Sequence, residues 1–194
     1  DQPRSRGLGD VYKRQAKYSS KMGALLSGQE PNVFSAKFSG GALMDLGVYT
    51  LYAAVRLFGA PQSVCYTAQQ LPNSVDLNGS GSLIYPDFQV RIQAGKNIHS
   101  QLPAEIYTDQ GTLTLDGIEF IRSAIFQKLN GETESLAIRQ AEHQMLEEAQ
   151  AFARVLEGGQ EELYSDYLQA ATAVHECLFA MRKDAGIRFE VDHD

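Results

Sequence analysis

Cysteine is scarce in this chain of 194 residues. Only Cys65 and Cys177 occur, with neither metal-ligand spacing nor a disulfide framework. Both read as buried free thiols in a reducing cytoplasm. His143, His175 and His193 form no i, i+4 pair, so they read as structural and no metal site is expected. Positive charge is short as well. Seventeen Lys and Arg against 24 Asp and Glu give a net charge of −7, the wrong sign for a nucleic-acid footprint. No apolar run approaches the roughly 20 residues of a membrane span. There is no internal repeat and no low-complexity tract. No G-x-G-x-x-G follows a strand. Gly79-Ser80-Gly81 lies between strands and opens no helix, so it is not a dinucleotide loop.

What remains is a globular composition, 43% hydrophobic, long enough for one domain with a core of its own. The first fifteen residues, Asp1 to Gln15, show no period and differ in character from the rest of the chain. They read as a non-native leader resembling a translated sequencing adapter, with native sequence resuming at residue 16 and an N-terminal part missing.

Ala16 to Lys21 is expected as a short strand and Met22 to Ser27 as one helical turn ended by Gly28. Gln29 to Lys37 reads as a loop or extended segment. Gly41 to Phe58 has helical apolar spacing at Leu43, Leu46, Leu51, Ala54, Val55 and Phe58, stopped by Gly59-Ala60-Pro61. Strands are expected over Ser63–Gln70, Gly79–Tyr85 and Phe88–Ala94, with Pro86-Asp87 as a tight turn. Glu105–Thr108 and Gly111–Leu115 make a hairpin around Asp109-Gln110-Gly111, and Gly117–Lys128 a further strand. Gln140–Leu156 and Ser165–Lys183 read as closing helices and Ile187–Val191 as a last short strand. This order predicts an α+β domain: a mostly antiparallel open sheet of five or six strands with helices on one face. Its other face is left for a partner.

The chemistry concentrates in Gly40-Gly41-Ala42-Leu43-Met44-Asp45-Leu46-Gly47-Val48-Tyr49. Asp45 and Tyr49 are four residues apart and share a helical face. A carboxylate there can orient a substrate hydroxyl and a phenol can relay its proton. The same spacing also suits a solvated acid and a core aromatic with a wet tip. Gly40 and Gly41 would let another molecule approach the backbone closely. Lys96 and Asn97, with His99, follow a strand in a loop that could line a sugar pocket or simply be solvated. Lys37, Tyr18 and Asn32 are weaker candidates for reaching substrate.

That signature resembles the C-terminal domain of the Gfo/Idh/MocA oxidoreductases, whose pattern is a glycine pair, then Asp, one residue, Gly, one residue, and His or Tyr. The resemblance extends to Tyr18-Ser19-Ser20-Lys21 and to Glu105-Ile106-Tyr107-Thr108-Asp109-Gln110-Gly111-Thr112-Leu113, and covers residues 16 to 191. It implies a substrate-binding and oligomerisation domain partnered by an N-terminal Rossmann domain that binds NAD or NADP. By resemblance, Asp45 orients a sugar, polyol or diol beside the nicotinamide. Tyr49 stands where most members carry a catalytic His, as in the branch of glucose–fructose oxidoreductase and dihydrodiol dehydrogenase. The family's Glu-Lys-Pro motif, with its catalytic lysine, is not in this sequence. The resemblance thus implies an oxidoreductase half that is inactive alone, forms homo-oligomers through its open sheet face, and uses Gly40 and Gly41 for close approach to the cofactor. The rival expectations are a non-catalytic binding or assembly module of the same fold and an independent sugar-binding domain.

Overall fold

The computed structural model describes residues 15–138, 143 and 145–192. The chain opens with helix α1 (Gln15–Leu26). The strand expected over Ala16–Lys21 is therefore helical: this stretch continues without a break into Met22–Leu26, so one helix replaces the strand and turn. Two short 3₁₀ turns, Asn32–Phe34 and Ala36–Phe38, follow where an extended loop was expected. A five-residue π-helical turn, Leu43–Gly47, leads into α2 (Val48–Phe58).

Strands β1 (Ser63–Gln70), β2 (Asp76–Ile84) and β3 (Gln89–Gly95) form an antiparallel sheet in the order β1-β2-β3. Strands β4 (Ala104–Tyr107), β5 (Gly111–Leu115), β6 (Ala124–Lys128) and β7 (Thr133–Leu136) form a second antiparallel sheet. The single sheet expected from the sequence is thus divided among the described residues into two. Helices α3 (Leu146–Leu156) and α4 (Glu161–Asp184) complete the α+β domain.

The register of the first sheet sorts its side chains by face. Tyr66 pairs with Gly81 and Gly81 with Ile92; Val64, Leu83 and Val90 form the next inward row. These meet Leu51, Ala54 and Val55 of α2 and Ala170, Val174, Leu178 and Met181 of α4 in the main core. The outward rows are polar: Cys65, Ser82 and Arg91, then Thr67, Ser80 and Gln93. Arg56 on α2 reaches Asp166 on α4 at 2.7 Å, and Asp184 at the end of α4 accepts the Tyr66 N–H at 2.8 Å. At the β2–β3 turn, Tyr85 stacks on Phe88 and both pack against Phe58, which closes α2 onto the sheet.

Several sequence expectations shift, each for a local reason. Gly117–Ser123 is a loop, because the Asp116 carboxylate accepts the backbone N–H groups of Arg122 and Ser123 and folds the chain back before β6. Ile187–Val191 forms no strand. Ile187 and Phe189 plug the core while Asp192 accepts from the Phe189 N–H and pairs with Arg182. Cys65 is exposed on the outer face of β1, and only Cys177 is a buried thiol. The segment Ala36–Phe58 reaches the length and mean hydropathy of a membrane span, contrary to the sequence reading, but half of it lies inside the protein. It reads as a core helix. The helix expected over Gln140–Leu156 is seen from Leu146; residues 139–142 and 144, like His193 and residues 1–14, lie outside the described residues.

Candidate functional site

The π turn is the local irregularity from which the site grows. Such turns are rare, appear as single insertions, and are frequent at functional positions. Asp45 lies within the π turn and Tyr49 on the first turn of α2, so the two are not on one regular α-helix. Asp45 is half-buried, whereas Tyr49, on the first turn of α2, is 40% exposed.

Asp45 meets a buried cation. Lys96 follows β3 directly, and its side chain is fully shielded from solvent. Its Nζ lies 2.7 Å from Asp45 Oδ2 and 3.0 Å from the Val33 carbonyl, which it shares with the Gly41 N–H at 3.1 Å. The ammonium also sits 5.4 Å from the Phe34 ring centroid. Lys96 therefore does not lie open in a solvated loop. Asn97 does: it is exposed and accepts from Asn78 at 2.8 Å. His99 is exposed and bonded to Gln101. Lys37 is exposed in the second 3₁₀ turn, beside the Phe38 ring. Tyr18 falls in α1, outside the stretch whose side chains are described. Of the predicted site residues, the structure brings together Asp45, Lys96, Gly41 and, one helical turn on, Tyr49.

Sequence reasoning missed Asp76. It is fully buried at the start of β2, its Oδ2 accepting the Leu43 N–H at 2.8 Å and the Tyr66 hydroxyl at 3.0 Å. Its Oδ1 has no hydrogen-bond partner among the described residues. Burial pushes the Asp76 carboxyl above the ordinary carboxylate range, against the opposing pull of the Leu43 N–H, the Tyr66 hydroxyl and the Lys96 charge. Burial, reinforced by Asp76, likewise raises the Tyr66 phenol. The available signal was Gly79-Ser80-Gly81. A β-carbon at Gly79 would fall 2.3 Å from the Tyr66 ring, and one at Gly81 would lie 3.0 Å from it. The two glycines clear the inner face of β2 so that Tyr66 can lie across it and reach Asp76.

The glycine pair serves the chain itself. A β-carbon at Gly40 would meet the Asn32–Val33 backbone at 2.8 Å, and one at Gly41 would meet Asp76 Oδ1 at 2.1 Å. These directions are filled by protein. No G-x-G-x-x-G dinucleotide loop occurs in the sequence. Among the described residues there is also no cluster of His, Cys, Asp and Glu able to hold a metal.

A separate apolar groove of about 830 Å³ lies between α3 and α4, walled by Phe152, Leu156, Tyr164 and Leu168, with Tyr52 of α2 at its edge. Asp45 and Tyr49 do not line it.

Comparison with known proteins decides the family. Residues 4–114 match the model of the GFO/IDH/MocA C-terminal domain. The chain belongs to the GFO/IDH/MocA family. It is 32% identical over 192 residues to the uncharacterized oxidoreductase YgjR of Escherichia coli, covering 98% of this chain and 57% of that protein. It is 32% identical over 175 residues to the scyllo-inositol 2-dehydrogenase (NADP+) IolU of Bacillus subtilis, covering 90% of this chain and 53% of that protein. Among solved structures, the 3-ketoreductase KijD10 of Actinomadura kijaniata, crystallised with TDP-benzene and NADP, superposes with a TM-score of 0.65 at 18% identity, over 93% of this chain and 52% of that one. At that identity the likeness concerns the fold alone. This GFO/IDH/MocA chain spans little more than half the length of the curated relatives it matches.

Proposed function

We propose that this chain is the substrate-binding half of an NAD(P)-dependent oxidoreductase acting on a secondary alcohol of a sugar, polyol or related diol. The observation that carries the reading is the half-open carboxylate of Asp45, held at 2.7 Å by a buried lysine one helical turn from an exposed tyrosine. Asp45 would accept a hydrogen bond from a substrate hydroxyl and fix which carbinol is presented. Tyr49 would take the proton of the reacting hydroxyl in oxidation and return it in reduction. The nicotinamide, when bound, supplies or accepts the hydride. The sequence carries no G-x-G-x-x-G loop, which supports assigning nicotinamide binding to the portion by which the relatives exceed this chain. The activity then belongs to the whole protein, and this half alone would be inactive. The polar outer face of β1–β3, with Thr67, Ser80, Arg91 and Gln93, is the surface proposed for self-association in the cytoplasm.

The name of the relative IolU makes scyllo-inositol with NADP+ the first pair to try on the whole protein. Asp45→Asn and Tyr49→Phe are expected to lower kcat/KM by roughly 100-fold or more, as loss of an orienting or proton-transferring group does. A whole protein that binds NADP(H) yet reduces or oxidises no cyclitol, hexose or nucleotide sugar would overturn the reading. So would variants as active as the unaltered enzyme.

A further inference from the structure

We propose that Lys96 is a positioning residue for Asp45: its buried ammonium, seated on the Val33 carbonyl, aims the Asp45 carboxylate out of the π turn and holds it charged, without touching substrate. The inference rests on the reading of Asp45 as the substrate-orienting group.

The geometry separates the two ends of this ion pair. The Lys96 side chain is fully shielded, while that of Asp45 is 41% exposed. A cation so shielded does not face solvent, yet it fixes one oxygen of a carboxylate that is itself partly exposed. The lysine is itself fixed at both ends. Its backbone N–H donates to the Leu77 carbonyl at 2.8 Å, and its ammonium is held by Val33 and Asp45. Leu77 adjoins Asp76, which grips the Leu43 N–H. Neighbouring points on β2 and β3 therefore hold the π turn twice, at Leu43 and at Asp45. A five-residue turn with irregular hydrogen bonding needs such anchors to present a side chain at a constant angle. Burying an ammonium is costly unless it is paired, so the carboxylate and the lysine stabilise each other in this arrangement. Among the described residues, Asp76 of β2 feels the Lys96 charge, Tyr66 of β1 donates to Asp76, and Tyr49 lies one turn beyond Asp45.

Two measurements test this. In the 194-residue chain, carboxyl ¹³C NMR across pH follows Asp45 directly. Lys96→Met, which keeps the stem and removes the charge, is expected to raise the Asp45 midpoint by about one pH unit or more. If that variant does not fold, Lys96→Gln, which retains a donor for Val33, carries the measurement. An unmoved midpoint in a folded variant overturns the proposal. In the whole enzyme, assayed with scyllo-inositol and NADP+, Lys96→Met is expected to lower kcat about tenfold or more. Lys96→Met/Asp45→Asn should be no slower than Asp45→Asn alone, since Lys96 acts through Asp45. Losses that multiply would mean that Lys96 acts elsewhere and would overturn the proposal. An Asp45→Asn enzyme as active as the unaltered one, or no turnover at all, defeats the functional reading instead. The titration still decides whether Lys96 governs Asp45.

Discussion

Gly41 has no room for a side chain because of Asp76: a β-carbon built on Gly41 would lie 2.1 Å from the buried Asp76 Oδ1. Gly41 also sits at φ +130°, a conformation that L side chains rarely adopt. Gly41→Ala is therefore expected to destabilise the chain by about 2–4 kcal/mol, through collision and strain together. Urea unfolding of the two proteins measures it. Asp76→Ala in the same background should recover part of the loss, because it removes the colliding oxygen. A Gly41→Ala protein as stable as the original would show that Gly41 is not confined by Asp76.

Asp76 also predicts a pH dependence. Burial raises its folded carboxyl above the ordinary value. The folded state then binds the proton more tightly than the unfolded state. The contribution is fully present below the ordinary carboxylate pKa and is lost as pH rises through the folded value. Asp192 works in the opposite sense. Its hydrogen bond from Arg182 and that from the Phe189 N–H hold it down at about 2, so its contribution is lost as pH falls toward that value. Asp192 is unchanged in Asp76→Asn and cancels in the comparison. The unfolding free energy of the original chain minus that of Asp76→Asn is expected to decrease from acid to neutral pH. A flat difference would remove Asp76 as a titrating group.

The sequence was legible where one periodicity acted alone. Alternation of Val90, Ile92 and Ala94 with Arg91 and Gln93 marked the faces of β3, and Ser63–Gln70 is the observed β1. It failed where side chains bind backbone: the alternation of Ile118, Phe120 and Arg122 continues that of β6, but Asp116 turns Gly117–Ser123 into a loop. Within the candidate site, the Asp45–Tyr49 spacing indicated helical structure but not the π turn, which hydrogen bonds define and residue types do not. Lys96 was visible as a cation after a strand, but its burial against Asp45 joins residues 51 positions apart. Asp76 was invisible for the same reason: an acid beginning a strand looks solvated until Tyr66 and Leu43 are folded over it.

Tyr66 provides a test of that buried cluster. Its hydroxyl is one of two donors to Asp76 Oδ2, beside the Leu43 N–H. Tyr66→Phe leaves the carboxyl buried with one donor fewer, which should cost about 1–3 kcal/mol in urea unfolding. The raised phenol also means that Tyr66 should not form tyrosinate in the folded chain at any pH where exposed tyrosines do. Ultraviolet titration of the original chain against Tyr66→Phe checks this. A tyrosinate signal assignable to Tyr66 before unfolding would show the hydroxyl to be accessible.

The two cysteines should react at different rates. Cys65 projects from the outer face of β1, while Cys177 is 6% exposed within α4 and its thiol is pushed up by burial and by the Glu176 charge. The thiolate is the reactive form, so Cys177 is shielded both sterically and by protonation. A disulfide reagent such as DTNB is expected to label one thiol quickly in the folded chain. The second should follow only as the core opens or denaturant is added. Cys65→Ser should abolish the fast phase and leave the slow one. Fast reaction of both thiols would contradict the packing of α4 on the sheet. A Cys65 that is protected at high protein concentration and reactive on dilution would instead identify the β1–β3 face as the surface through which copies of the chain associate. In that outcome Arg91, which pairs with Ser82 in the same row as Cys65, becomes the residue to reverse, with Arg91→Glu expected to restore fast labelling at high concentration.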